Sequence, residues 1–327
     1  MQKALIVGID DYPTAPLNGC VNDAIQIASK LETNGDGSPN FGVICITENV
    51  TCAKLMDALE NLFSSDADTV LFYFAGHGVF EPTTNAGYII TSDGIKPNWG
   101  IPLSVILEMA NKASPRIKSS VIILDSCQSG FAGEVTGLGS DSKVSFIGNG
   151  VTILTACHRE GYAAEIGGHG AFTSILLDGL NGASADVLGR ITPASLYAHV
   201  DQTLGPWEQR PIYKANVQSF ITLRKIEPKV PLEVLRRLLD YFPDPTDVFP
   251  LDPSYEPDRG EEAENHKGIP VKDDHVRIYR ELQQCNRNGL VVPVDQPHMW
   301  NAAVHSTGCK LTASGAHYRK LAELKRI

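Results

Sequence analysis

From residue 1 the chain alternates short β-branched apolar runs with longer stretches of helical period. KALIVGI, GVICITE, TVLFYFAG, VIILDSC and VTILTAC are nearly continuous in Val, Ile, Leu and aromatic residues. Such runs suit strands covered on both faces, as in a parallel sheet with helical crossovers. Between them, CVNDAIQIASKLET, TCAKLMDALENLFSS and LSVILEMANKA space their apolar residues as helices do, and GAFTSILLDGLNG follows the last run. The alternation predicts an α/β fold. In open parallel sheets the working groups gather beyond the carboxyl ends of the strands. Here those places read DDYPTAPLNGC, GHGVF, DSCQSG and ACHREGYAAE, rich in Gly, His, Cys and acids.

The pattern weakens after FITLRKI. The expected organisation is an α/β domain over 1–225, an acidic, Pro-rich and mostly irregular linker over 226–264, and a small module over 265–327. The module reads as helix, strand, loop, strand, helix, with Thr312 as N-cap of the last helix, and resembles a small winged-helix unit.

Composition narrows the function classes. The chain has 327 residues, 43% hydrophobic, and a formal charge of -10, which argues against a whole-protein nucleic-acid binder. The last helix carries Arg319, Lys320, Lys325 and Arg326, read as a solvated face because the preceding acidic stretch opposes phosphate binding. With no signal-like start and no apolar run long enough to span a bilayer, the expectation is a cytoplasmic protein with no membrane partner. Seven cysteines without C-x-x-C pairs suggest free thiols and no zinc site. No cofactor is expected. Asp10 and Asp11 are adjacent, but spacing does not assemble the six or more oxygens that Ca²⁺ needs, so they are read as a capped turn.

The candidate chemistry is a thiol with a helper. A cysteine becomes a nucleophile when a nearby histidine takes its proton. His77 stands between two glycines at the end of the third apolar run, and Cys127 follows 50 residues later in DSC. A buried packing thiol is the commoner fate of a lone cysteine. Strand alternation places Asp125 on the same face as Cys127, and Asp23 follows the first strand in GCVNDA. Two carboxylates beside a nucleophile suit a guanidinium or ammonium group. The other reading of Asp23 is a helix-start carboxylate complementing the dipole.

YFAGHG followed by ILDSCQSG, with ALIVGIDDYPTAPLNGCVNDA before them and GAFTSILLDGLNG after, resembles the caspase-like cysteine peptidases, in particular the metacaspase, orthocaspase and bacterial caspase-like branch (peptidase C14 type). The resemblance implies a three-layer sandwich around a mostly parallel sheet. It implies Cys127 as nucleophile, His77 as general base and acid, and backbone amides near Gly78 and Cys127 on the substrate carbonyl. A glycine at 78 leaves that position uncrowded. It also implies protein substrates cut after Arg or Lys, with Asp23, Asp125 and Cys20 lining the pocket. Ala75 departs from relatives that carry a serine before G-H-G. The alternative is a catalytically silent caspase-fold scaffold acting through its C-terminal module, which on either reading would dock a regulatory protein. A role in host defence or cell suicide rests on analogy of fold.

Overall fold

The computed structural model describes residues 1–126, 134–136, 143–145, 147–156, 165–166, 169–205 and 211–327. The apolar runs are its central strands: β1 (Gln2–Gly8), β2 (Gly42–Ile46) and β3 (Thr69–Ala75). A separate antiparallel sheet follows, of β4 (Gly78–Glu81), β5 (Ala86–Ile95) and β6 (Asn98–Pro102). Then come β7 (Ser119–Asp125), a hairpin of β8 (Glu134–Thr136) with β9 (Lys143–Ser145), and β10 (Val151–Thr155). Beyond these lie two short pairs, β11 (Glu165–Ile166) with β12 (His169–Gly170) and β13 (Arg190–Ile191) with β15 (Arg224–Lys225), and between the latter in sequence β14 (Ile212–Ala215).

Among the described residues the main sheet has six strands in the order β2-β1-β3-β7-β10-β14. All neighbours are parallel except β14, which runs antiparallel to β10. The expected mainly parallel sheet is therefore present, with one antiparallel edge. The helices are α1 (Cys20–Glu32), α2 (Cys52–Ser64), α3 (Leu103–Ala113), α4 (Ala171–Asp178) and α5 (Pro193–Leu204). β3 and β7 are buried along their whole length, and alternation divides their side chains between two cores. Phe72, Phe74, Ile122 and Leu124 pack with α2 and α3, whereas Leu71, Tyr73, Val121 and Ile123 pack with α1, α4 and α5. Helices thus cover both faces of one sheet. Gly8 is small for a reason: a Cβ there would lie 2.2 Å from the Cys20 carbonyl oxygen, so glycine lets α1 start against the end of β1.

The chain divides into two compact units, Met1–Glu227 and Pro228–Ile327. The second begins inside the stretch read as a linker. There α6 (Leu232–Tyr241) buries Val234, Leu235 and Leu238, and β16 (Val248–Pro250) pairs with β18 (Gly308–Leu311). The unit continues with α7 (Asp273–Arg287), β17 (Val291–Pro293), α8 (Met299–Val304) and α9 (Ala313–Glu323). Its sheet is antiparallel, in the order β16-β18-β17. The helix, strand, loop, strand, helix order is present, but α8 occupies the expected loop. Thr312 caps α9 by accepting from the Gly315 amide at 3.0 Å. Arg319 does not belong to a solvated face: it is buried, and its guanidinium donates to the carbonyls of Phe242 and Pro243. Arg237 holds Glu281 through two bonds of 2.8 Å, and the Tyr241 hydroxyl donates to the same carboxylate at 2.6 Å, joining α6 to α7. Among the described residues no helix is long and apolar enough to cross a membrane.

Candidate active site

The loop from Ile9 to Gly19 joins β1 to α1 and is held by one acid. The Asp10 carboxylate accepts from the amides of Cys20 and Val21 at 2.8 and 3.3 Å, and its carbonyl accepts from Tyr12 and Leu17. This is the capped turn expected for Asp10, satisfying amides that a helix start leaves open. Among the described residues no three His, Cys, Asp or Glu side chains are grouped to hold a metal ion.

His77 lies between β3 and β4, at the carboxyl end of the sheet, and is half-buried. Its Nε2 is 2.7 Å from the Ala15 carbonyl oxygen. A carbonyl can only accept, so the neutral ring carries its proton on Nε2 and keeps a lone pair on Nδ1. The Tyr12 ring packs at 4.6 Å between centroids, tilted by 55°. One loop therefore touches both the edge and the face of the imidazole. Gly78 opens β4 opposite Ile89, a position whose amide turns away from β5 because the preceding pair, His77 and Ile90, is of the hydrogen-bonding kind.

Beside this end of the sheet lie two carboxylates. Asp125 is the last residue of β7 and Asp23 sits in the first turn of α1; their relative exposures are 6% and 1%, a burial acids tolerate only with hydrogen-bonding partners. Both meet the start of α4. The Gly170 amide donates to Asp23 Oδ2 at 2.8 Å, and the Thr173 amide and hydroxyl donate to Asp125 Oδ2 at 3.3 and 2.6 Å. The Tyr73 hydroxyl is 2.6 Å from Thr173 Oγ1; with the threonine proton on Asp125, the phenol is the donor. Burial first, then the Asp125 and Asp23 charges, push the Tyr73 phenol well above its ordinary value. These amide and hydroxyl donors at the start of α4 supply the partners that buried carboxylates need. A Cβ at Gly170 would lie 2.4 Å from Asp125 Oδ2 and 3.2 Å from Asp23 Oδ2, so both acids approach one small residue.

The structure thus brings His77, Gly78, Asp23 and Asp125 to the same end of one sheet, with Cys20 buried as the first residue of α1. Cys127 lies outside the described residues, as do Cys157 and His158. Sequence reasoning overlooked Tyr12, the Ala15 carbonyl, Tyr73 and Thr173. Thr173 stood in a quoted motif, and Tyr73 in a strand read only as apolar. For Ala15 no side-chain signal exists, because its part is played by backbone.

Comparison with known proteins bears on the family and the fold. The model of the caspase domain family matches residues 1–221. No curated protein sequence matches the chain. Among solved structures, that of protein GSU0716 from Geobacter sulfurreducens is similar in fold, with a TM-score of 0.52 and 16% identity over 69% of this chain and 97% of that one.

Proposed function

The chain belongs to the caspase domain family, and from that premise we propose that it is a cysteine endopeptidase cutting protein substrates after Arg or Lys. The observation that carries the reading is the bond between His77 Nε2 and Ala15, which leaves Nδ1 as the basic nitrogen. In the proposed cycle Nδ1 takes the Cys127 proton, the thiolate attacks the peptide carbonyl, and the imidazolium returns the proton to the leaving amine. The Gly78 amide, turned away from β5, serves the developing oxyanion. A thioester forms, and water attacks it with His77 again as base. Asp125 and Asp23 receive the guanidinium or ammonium group of the residue before the cut, supported by their burial together at α4. Met1–Glu227 is the catalytic unit, and Pro228–Ile327 acts as an interaction module docking a regulatory protein. Residues 265–327 form the winged-helix-like part of that module.

The alternative, a caspase-fold scaffold without turnover, has one observation on its side. Asp23 and Asp125 each already accept backbone amides at the start of α4, which an architectural role alone would require. Hydrolysis of matched peptides ending in Arg, Lys or Asp, by wild type and Cys127→Ala, separates the two. Turnover after Arg or Lys that vanishes in the variant supports the peptidase; silence with every peptide supports the scaffold.

A further inference from the structure

Immediately before β4, at His77, the ladder with β5 is irregular. In an antiparallel ladder, hydrogen-bonded partners exchange two direct N–H···O bonds. The register of β4 with β5, Gly78 opposite Ile89, puts His77 opposite Ile90. One bond of that pair is ordinary, from the Ile90 amide to the His77 carbonyl at 2.9 Å. Its companion is replaced by two. The His77 amide donates to the Tyr12 hydroxyl at 3.0 Å, and that hydroxyl donates to the Ile90 carbonyl at 3.1 Å. A side-chain oxygen from another loop is inserted in the ladder, as a bridging water can be.

The insertion is built into the sequence around it. Tyr12 is 5% exposed, and burial raises its phenol above the ordinary value, which keeps the proton needed for the Ile90 bond. Gly76 makes the room: a Cβ there would lie 2.5 Å from the Tyr12 hydroxyl oxygen. The Tyr12 backbone is itself fixed, since its amide donates to the Asp10 carbonyl at 3.1 Å. An inserted oxygen also holds the His77 backbone further from β5 than a direct ladder bond would.

We propose that Tyr12 is a positioning residue, and that its hydroxyl, wedged between His77 and Ile90, sets where the His77 imidazole stands. The proposal rests on the reading of His77 as the general base. Without the wedge, the His77 amide can bond Ile90 directly and the ladder closes. Tyr12→Phe then exchanges two bonds for one, leaves no buried group unpaired, and shifts the base. The fold is nearly indifferent to the change, while the chemistry is not.

The test compares wild type, Tyr12→Phe and His77→Ala on one arginyl peptide, with kcat and KM measured across pH, thermal unfolding, and a crystal structure of Tyr12→Phe. The expected result is a kcat roughly 10- to 100-fold lower in Tyr12→Phe, the loss that a misplacement of about 1 Å produces. KM stays within about twofold, because the acid pocket is untouched, and Tm stays within a few degrees. The basic limb of the kcat profile is not moved earlier by loss of folded enzyme, and the structure shows His77 N bonded directly to Ile90 O. Wild-type kcat in Tyr12→Phe beside an inactive His77→Ala overturns the wedge and leaves the base assignment standing. A fall in kcat that only tracks a loss of folded protein also overturns it, as does a water occupying the hydroxyl site with His77 unmoved. Full activity in His77→Ala overturns both this proposal and the reading beneath it.

Discussion

Thr173 gives Asp125 two hydrogen bonds, from its amide at 3.3 Å and from its hydroxyl at 2.6 Å, both to the same carboxylate oxygen. This holds an acid that is 6% exposed in one orientation at the start of α4. If Asp125 reads the charge of the substrate, Asp125→Asn keeps the shape and removes the charge. We expect kcat/KM for arginyl peptides to fall by about 2–5 kcal/mol, roughly 30-fold or more, as for one partner of a buried charge pair. Steady-state kinetics on arginyl and uncharged peptides checks this, the uncharged peptide changing little.

Thr173→Val tests the link between that acid and the core. It removes the hydroxyl between Tyr73 and Asp125 and leaves the buried Tyr73 phenol without that acceptor. The cost in stability is about 1–3 kcal/mol. Urea unfolding measures it, and arginyl peptides show a raised KM with kcat largely kept.

Gly8→Ala addresses the approach of α1 to the sheet. The new Cβ would sit 2.2 Å from the Cys20 carbonyl and 2.7 Å from the Ala24 Cβ, so α1 must move. Overpacking of this kind costs about 1–3 kcal/mol or more. Thermal unfolding shows the lower Tm, and activity falls because Cys20 and Asp23 ride on the same helix.

Two buried thiols, together with the phenols of Tyr241, Tyr255 and Tyr279 that burial also raises, make the second unit lose stability at alkaline pH. Burial pushes Cys285 and Cys309 up to about 12 from an ordinary value of 9.0. In the unfolded chain they ionise first, so above pH 9 the unfolded state binds fewer protons than the native state. Stability is complete below the unfolded value and is lost as pH rises from 9 toward 12. Denaturant midpoints under reducing conditions should fall across this window, and Cys285→Ala should flatten the fall.

The parts of the fold legible in the sequence were those whose burial is simple. β3 and β7 are covered on both faces and read as unbroken apolar runs, and LSVILEMANKA coincides with α3, Leu103–Ala113. The sheet of β4, β5 and β6 was missed because β5 is covered on one face only and is interrupted by a register shift between Ile90 and Ile95. The linker reading lost α6 although Leu232, Leu235, Leu238 and Leu239 carry a helical period, because the acidic, Pro-rich residues beyond it dominated the composition. At the site, His77 and the two acids stood out as residue types at strand and helix ends. The groups that orient them did not. Ala15 acts through its carbonyl and Tyr12 through a place in a ladder 78 residues away, relations that only the folded chain creates.

The most direct measurement is intact mass and peptide mapping after incubation with an arginyl peptide bearing a chloromethyl ketone, beside its aspartyl counterpart. The account predicts one adduct, on Cys127, formed with the arginyl reagent and not the aspartyl one, and formed much more slowly in His77→Ala. An adduct on Cys127 from the aspartyl reagent alone, or none on Cys127 from the arginyl reagent, contradicts it.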